Sequence, residues 1–224
     1  MHVPAAAPVK ANVKHLLGLL CLSAAFAEIS VTDLLRGVEE RYNRPKTMQV
    51  LFEQSLTGAG RIGQRESGVL YLRKPGRMLW EYHTPEGKLF LADGKDVYFY
   101  SPVSKRVEKS PLKGSDDLRA PLAFLMGRLD FQRDFREFRS KPEGEATYLV
   151  AVPKSDKAPY RQVEFLVNAS HQIQQLKVHG HDGSLMQFKF SSERLNPPLD
   201  DKLFVFRMPA GAELVEVDAE GGGK

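Results

Sequence analysis

The chain has 224 residues, a formal charge of +4 and a single cysteine, Cys21. No disulfide framework can form from one thiol, and so weak a positive balance argues against a nucleic-acid partner. One apolar run near the N-terminus is too short to span a bilayer, so a membrane-embedded helical protein is excluded as well.

Residues 1–27 read as a secretory signal peptide. Lys10, Lys14 and His15 form a basic n-region, Leu16 to Phe26 an apolar core, and Ala25-Phe26-Ala27 a small-x-small cleavage site before Glu28. The rival, a lipoprotein signal at Cys21, lacks a small residue before the cysteine, because Leu20 stands there. Cleavage near Ala27 removes Cys21, Lys10 and Lys14 and leaves 30 basic against 28 acidic side chains, near +2. It also rules out a thiolate nucleophile or Cys-ligated metal in the mature chain. The remaining residues suffice for one core, so residues 28–215 are expected to form a single domain and 216–224 a disordered tail.

Ser30 to Tyr42 is expected to be helical, capped by Ser30 or Thr32, with Leu34, Leu35, Val38 and Tyr42 at helical spacing. Strands follow. Val50, Phe52 and Leu56 form one face of the first. Leu70 and Leu72 share a face of the second, opposite Val69 and Tyr71. Met78, Trp80 and Tyr82 share a face of the third, because side chains alternate along a strand. Leu89-Phe90-Leu91 and Val97 to Tyr100 flank Asp93-Gly94, a strong hairpin signal. Ser115-Asp116-Asp117 opens a second expected helix reaching Leu129, with Pro121 inside it. Strands are then expected at 146–153, 161–168, 172–180, 184–192 and 203–207, with Asn196-Pro197-Pro198 as a linker and a short run at Leu214-Val215. About ten strands at near-regular spacing indicate an all-β barrel or sandwich with a few helices.

Motifs for chemistry are weak. Gly58-Ala-Gly60-Arg-Ile-Gly63 matches a dinucleotide fingerprint but leads into a strand, so it reads as a hairpin loop. His179 and His181 share a strand face, yet no third ligand is evident, and no metal or other cofactor is expected. Gly-x-Ser-x-Gly is absent, and no catalytic residue is assigned. Arg133, Arg136, Arg139 and Lys141 interleave with Phe131, Phe135 and Phe138. That run suits a core-packed segment with a solvated basic face better than a membrane-surface element.

Residues 68–102 are the most informative stretch. Gly-x-Leu-x-Leu-x-Lys-Pro-Gly-Arg-x-x-Trp-x-Tyr, then Pro, then Asp-Gly-x-x-Val-Tyr-x-Tyr, is similar to the periplasmic outer-membrane lipoprotein carrier family (LolA-like proteins). The likeness extends from Met48-Gln-Val-Leu-Phe-Glu-Gln54 to the closing Pro-Ala-Gly-Ala-Glu-Leu-Val215. It implies a mainly β fold, a half-open antiparallel barrel with helices forming a lid over an apolar cavity. The implied function is non-enzymatic: a monomeric periplasmic chaperone takes acylated lipoproteins from an inner-membrane transporter to an outer-membrane acceptor. Leu70, Leu72, Met78, Trp80, Tyr82 and Phe90 would line the cavity. Lys74 occupies a position where the family often has Arg, and would touch the lid; Arg73 would point to the opposite face. The same barrel also resembles lipid-sensing periplasmic anti-sigma regulators, which gives the alternative reading of a regulatory binding domain.

Overall fold

In the computed structural model, residues 1–2, 30–58, 61–112, 129–156 and 158–217 are described. The signal segment from residue 3 onward, with Cys21, and all of the expected second helix except Leu129 lie outside them. Helix α1 spans Val31–Asn43, with Ser30 as N-cap accepting from the Asp33 amide. The four apolar residues expected on its inner stripe, Leu34, Leu35, Val38 and Tyr42, are its buried residues.

Six strands follow: β1 (Thr47–Gly58), β2 (Arg61–Arg73), β3 (Arg77–Thr84), β4 (Leu89–Asp93), β5 (Asp96–Ser101) and β6 (Arg106–Pro111). A short helix α2 (Phe131–Asp134) leads into β7 (Phe135–Glu143), β8 (Ala146–Pro153), β9 (Tyr160–Asn168), β10 (Ile173–Gly180) and β11 (Leu185–Leu195). A 3-10 turn at Asp201–Phe204 precedes β12 (Glu213–Glu216). The order across the single sheet is β12-β6-β5-β4-β3-β2-β1-β11-β10-β9-β8-β7. All neighbours are antiparallel except β12, which runs parallel to β6.

Hairpin turns set this order. At Asp93-Gly94 the Asp93 carboxylate accepts from the amides of Lys95 and Asp96, both at 2.8 Å, while Gly94 takes φ +102°. Only glycine adopts that conformation without strain. Gly58 ends β1 and Arg61 opens β2, so the Gly58–Gly63 motif belongs to a hairpin, with residues 59–60 outside the described set.

The sheet coils strongly. β3 and β11 are separated by β2 and β1, about 14 Å in a flat sheet, yet the rings of Trp80 and Phe188 lie 5.2 Å apart. Phe52 of β1 meets Trp80 at 4.7 Å across β2. One large core cluster on the concave face draws from α1, β1–β5, α2 and β7–β11. The architecture is a mainly β, half-open barrel with α1 packed into its interior.

The C-terminal segment departs from expectation. Residues 203–207 are not a strand: Asp200 caps the 3-10 turn through the Lys202 amide, and the chain then crosses the convex face. There Leu199, Leu203, Phe204 and Phe206 pack with Tyr71, Leu79, Leu89, Leu91 and Tyr98 in a second, smaller cluster. Arg73 points to this outer face, as alternation requires. It pairs with Asp201 and donates to the Leu199 carbonyl. The expected tail boundary is also too early, because Glu216 belongs to β12 and Lys109 of β6 reaches its carboxylate at 3.5 Å.

Candidate functional site

The six expected cavity residues are brought together. Leu70, Leu72, Met78, Trp80, Tyr82 and Phe90 belong to the concave cluster and are all at most 6% exposed. Strand pairing explains this: Leu70 faces Trp80, Leu72 faces Met78, and Trp80 faces Phe90 in register. The Trp80 indole N–H donates to Met78 Sδ at 2.8 Å. Phe52 stands edge-on to both Trp80 and Tyr82.

Among the described residues these six side chains pack against one another and against α1. Beside Leu72, Tyr42 and Lys74 a void of about 10 Å³ remains, the space of one water. A larger cleft, about 420 Å³, is lined by groups such as Glu53, Arg65, Glu66 and Lys189 and is too polar to hold acyl chains. Side chains from opposite wings of the coiled sheet meet across the concave face, as Trp80 and Phe188 do.

Lys74 lies at the end of this face, in the turn after β2. Its Nζ donates to the Tyr42 carbonyl at 2.5 Å, in the last turn of α1, where the helix dipole favours a cation. Partial burial pulls the Lys74 pKa below its ordinary value.

The other side of α1 is held by polar groups that sequence reasoning missed. The Tyr42 hydroxyl donates to Glu193 Oε2 at 2.7 Å and accepts from the Ile173 amide at 2.9 Å. Arg41 closes on Glu193 Oε1 at 2.6 Å. Burial first, then the Glu193 charge, pushes the Tyr42 pKa far above the ordinary tyrosine range. Tyr42 thus ties the helix to the turn after β2 through its carbonyl and to β10 and β11 through its hydroxyl. Asn43 brackets Leu129, accepting from its amide at 2.7 Å and donating to its carbonyl at 2.8 Å, and Glu39 accepts from the Phe131 amide. Glu39 and Asn43, four apart on one helix, were the only local signal of this pin.

The remaining candidates disperse. His179 Nε2 lies 2.7 Å from Glu164 Oε1, and His181 Nε2 lies 3.0 Å from the Ala158 carbonyl, so the two imidazoles do not converge. No group of three metal-ligating side chains occurs among the described residues. Phe131, Phe135 and Phe138 turn inward onto Phe165 and one another, while Arg136, Arg139 and Lys141 face solvent.

The family model of the outer membrane lipoprotein carrier protein LolA matches residues 43–207. An outer-membrane lipoprotein carrier protein from Sodalis glossinidius is 28% identical over 202 residues, covering 90% of this chain and 97% of its own. One from Nitrosomonas europaea is 26% identical over 206 residues, covering 90% and 98%. A solved LolA superfamily protein from Nitrosomonas europaea, 12% identical, aligns with 80% of this chain and 99% of its own at a TM-score of 0.46. The chain belongs to the outer membrane lipoprotein carrier (LolA) family.

Proposed function

We propose that this protein is a periplasmic carrier that shields the acyl chains of lipoproteins in its concave interior and moves them from the inner to the outer membrane. The observation that carries the reading is the apolar face of Leu70, Leu72, Met78, Trp80, Tyr82 and Phe90, enclosed by α1 in a half-open barrel of this family. Each buried methylene is worth about 0.8 kcal/mol, so a sixteen-carbon chain costs roughly 12 kcal/mol to expose to water. A carrier needs no covalent step; it has only to match that burial. Acyl chains would replace side-chain contacts on this concave face with their own. Lys74 on the Tyr42 carbonyl is the contact such an exchange would have to break.

The donor in this reading is an inner-membrane lipoprotein transporter and the recipient an outer-membrane acceptor. The mature chain would begin near Glu28, which intact-mass measurement of periplasmic protein tests. The function itself is tested by mixing purified protein with an acylated lipoprotein and resolving soluble complex by size exclusion. A one-to-one complex is expected. Met78→Glu, which buries a charge at a fully enclosed position, should abolish the complex while circular dichroism remains native-like. No complex with the unaltered protein overturns the carrier reading, and full binding by folded Met78→Glu overturns the assignment of the interior.

A further inference from the structure

We propose that Lys88, held by Glu66, is a specificity-determining donor that recognises the ester and amide carbonyls of acylated cargo; this rests on the carrier reading above. The inner face of β1–β4 is apolar from Met48, Leu72 and Ala92 through Phe52, Leu70, Trp80 and Phe90. Within one or two inward positions beyond these it becomes polar, at Gln54, Glu66, the Tyr82 hydroxyl and Lys88. This polar end is the one away from the α1 C-terminus, at the β3–β4 turn. The Lys88 carbonyl accepts from the Tyr82 amide at 3.1 Å, which places Lys88 on the inward side with Tyr82. The Tyr82 hydroxyl donates to Gln54 Oε1 at 3.0 Å.

Lys88 Nζ lies 2.6 and 2.7 Å from the two Glu66 oxygens, and 4.3 Å from the Tyr82 ring centroid. It also stands 5.7 Å from the ring of Phe99. Both charged side chains are only 15% exposed. Fold stability alone explains this pair poorly. Desolvating two charges offsets most of their attraction, and an apolar pair of the same volume is often as stable. What the pair adds is a cationic donor fixed at the edge of an apolar wall. An acylated glyceryl-cysteine has the same order along its length: hydrocarbon, then ester and amide carbonyls. Lys88 supplies the donor those carbonyls lack once removed from water, and Glu66 is the acceptor they must compete with.

The test is binding of three probes to the purified chain, its Lys88→Met variant and its Glu66→Gln variant, with thermal melting as a check on folding. The probes are a tripalmitoyl-cysteinyl lipopeptide, dipalmitoyl phosphatidylcholine and N-phenylnaphthylamine, which is apolar and has no carbonyl. Lys88→Met should bind the lipopeptide about tenfold more weakly, about 1.4 kcal/mol, while N-phenylnaphthylamine binding stays within about twofold. Glu66→Gln, which frees the ammonium, should bind the lipopeptide as tightly as the parent or more so. A parallel loss for the phospholipid assigns the contact to ester carbonyls, and a loss for the lipopeptide alone assigns it to the cysteinyl amide; both support the proposal. Equal loss for all three probes, no loss for any, or a Glu66→Gln defect matching that of Lys88→Met overturns it. Failure of the unaltered protein to bind the lipopeptide, with N-phenylnaphthylamine still bound, would instead remove the carrier reading itself.

Discussion

Replacing Tyr42 with Phe removes one oxygen atom and tests whether α1 is tied to the β10–β11 wing as described. The hydroxyl serves two buried partners: the Ile173 amide, whose residue is 3% exposed, and the Glu193 carboxylate, whose side chain is 3% exposed. An unsatisfied buried amide costs about 1–3 kcal/mol, and a hydrogen bond to a charged group contributes about 1.5–3 kcal/mol. Arg41 still satisfies part of Glu193, so the combined loss should be about 2–4 kcal/mol. For a chain of this size that lowers Tm by roughly 5–15 °C. Urea unfolding followed by tryptophan fluorescence is a direct assay, because the single tryptophan, Trp80, lies 1% exposed in the interior. The pH dependence adds a second readout. Tyr42 is held protonated far above its ordinary value of 10.0. In the unfolded chain it ionises near that value, so the unfolded state binds fewer protons above it and stability falls as pH rises past about 10. Tyr42→Phe has no proton to lose there, and its alkaline decline should be shallower. A loss of stability below about 1 kcal/mol, or an unchanged alkaline limb, would refute the reasoning.

Two further outcomes follow from α1. Gly37→Ala would place a Cβ 2.2 Å from the His171 ring; the forced displacement should destabilise by about 1–3 kcal/mol, read by urea unfolding, and a neutral or stabilising effect would show that the ring swings away freely. Lys74→Leu should leave Tm within a few degrees, because the lost bond to the Tyr42 carbonyl is offset by relief of a desolvated ammonium. It should nevertheless slow cargo handover to acceptor vesicles, and an unaltered transfer rate would show that Lys74 is only a strand-end charge.

The sequence announces α1 because Leu34, Leu35, Val38 and Tyr42 keep helical spacing and all four are buried. The interior wall is equally legible, since Met78, Trp80 and Tyr82 alternate on β3 opposite partners that alternate on β2 and β4. β7 was hidden by its own irregularity. A register shift between Phe135 and Glu137 changes the parity of the strand, so Phe135 and Phe138, three apart, both turn inward and mimic a helix. β6 buries only Val107 and therefore carries no pattern at all. Leu203 to Arg207 looked like a strand because Leu203 and Val205 alternate, yet Phe204 is the buried residue there and Val205 is 57% exposed. The clasp on Tyr42 left no local trace, since Arg41 and Glu193 are 152 residues apart.

The crossing of the C-terminal segment over the convex face has a mechanical consequence. β3 and β4 belong to two clusters at once, but through different side chains: Trp80 and Phe90 face inward, Leu79 and Leu91 outward. The outer contacts include Tyr98 stacked on Phe206 at 4.2 Å and Arg73 bound to Asp201 and the Leu199 carbonyl. None of these depends on what fills the interior. The outer segment therefore acts as a splint that keeps β2–β5 in register from behind; in the carrier reading proposed above, inner side chains would exchange one another for hydrocarbon without the strands coming apart. On that reading loading and unfolding would be separable events, because the contacts surrendered to cargo would differ from the contacts that hold the wall.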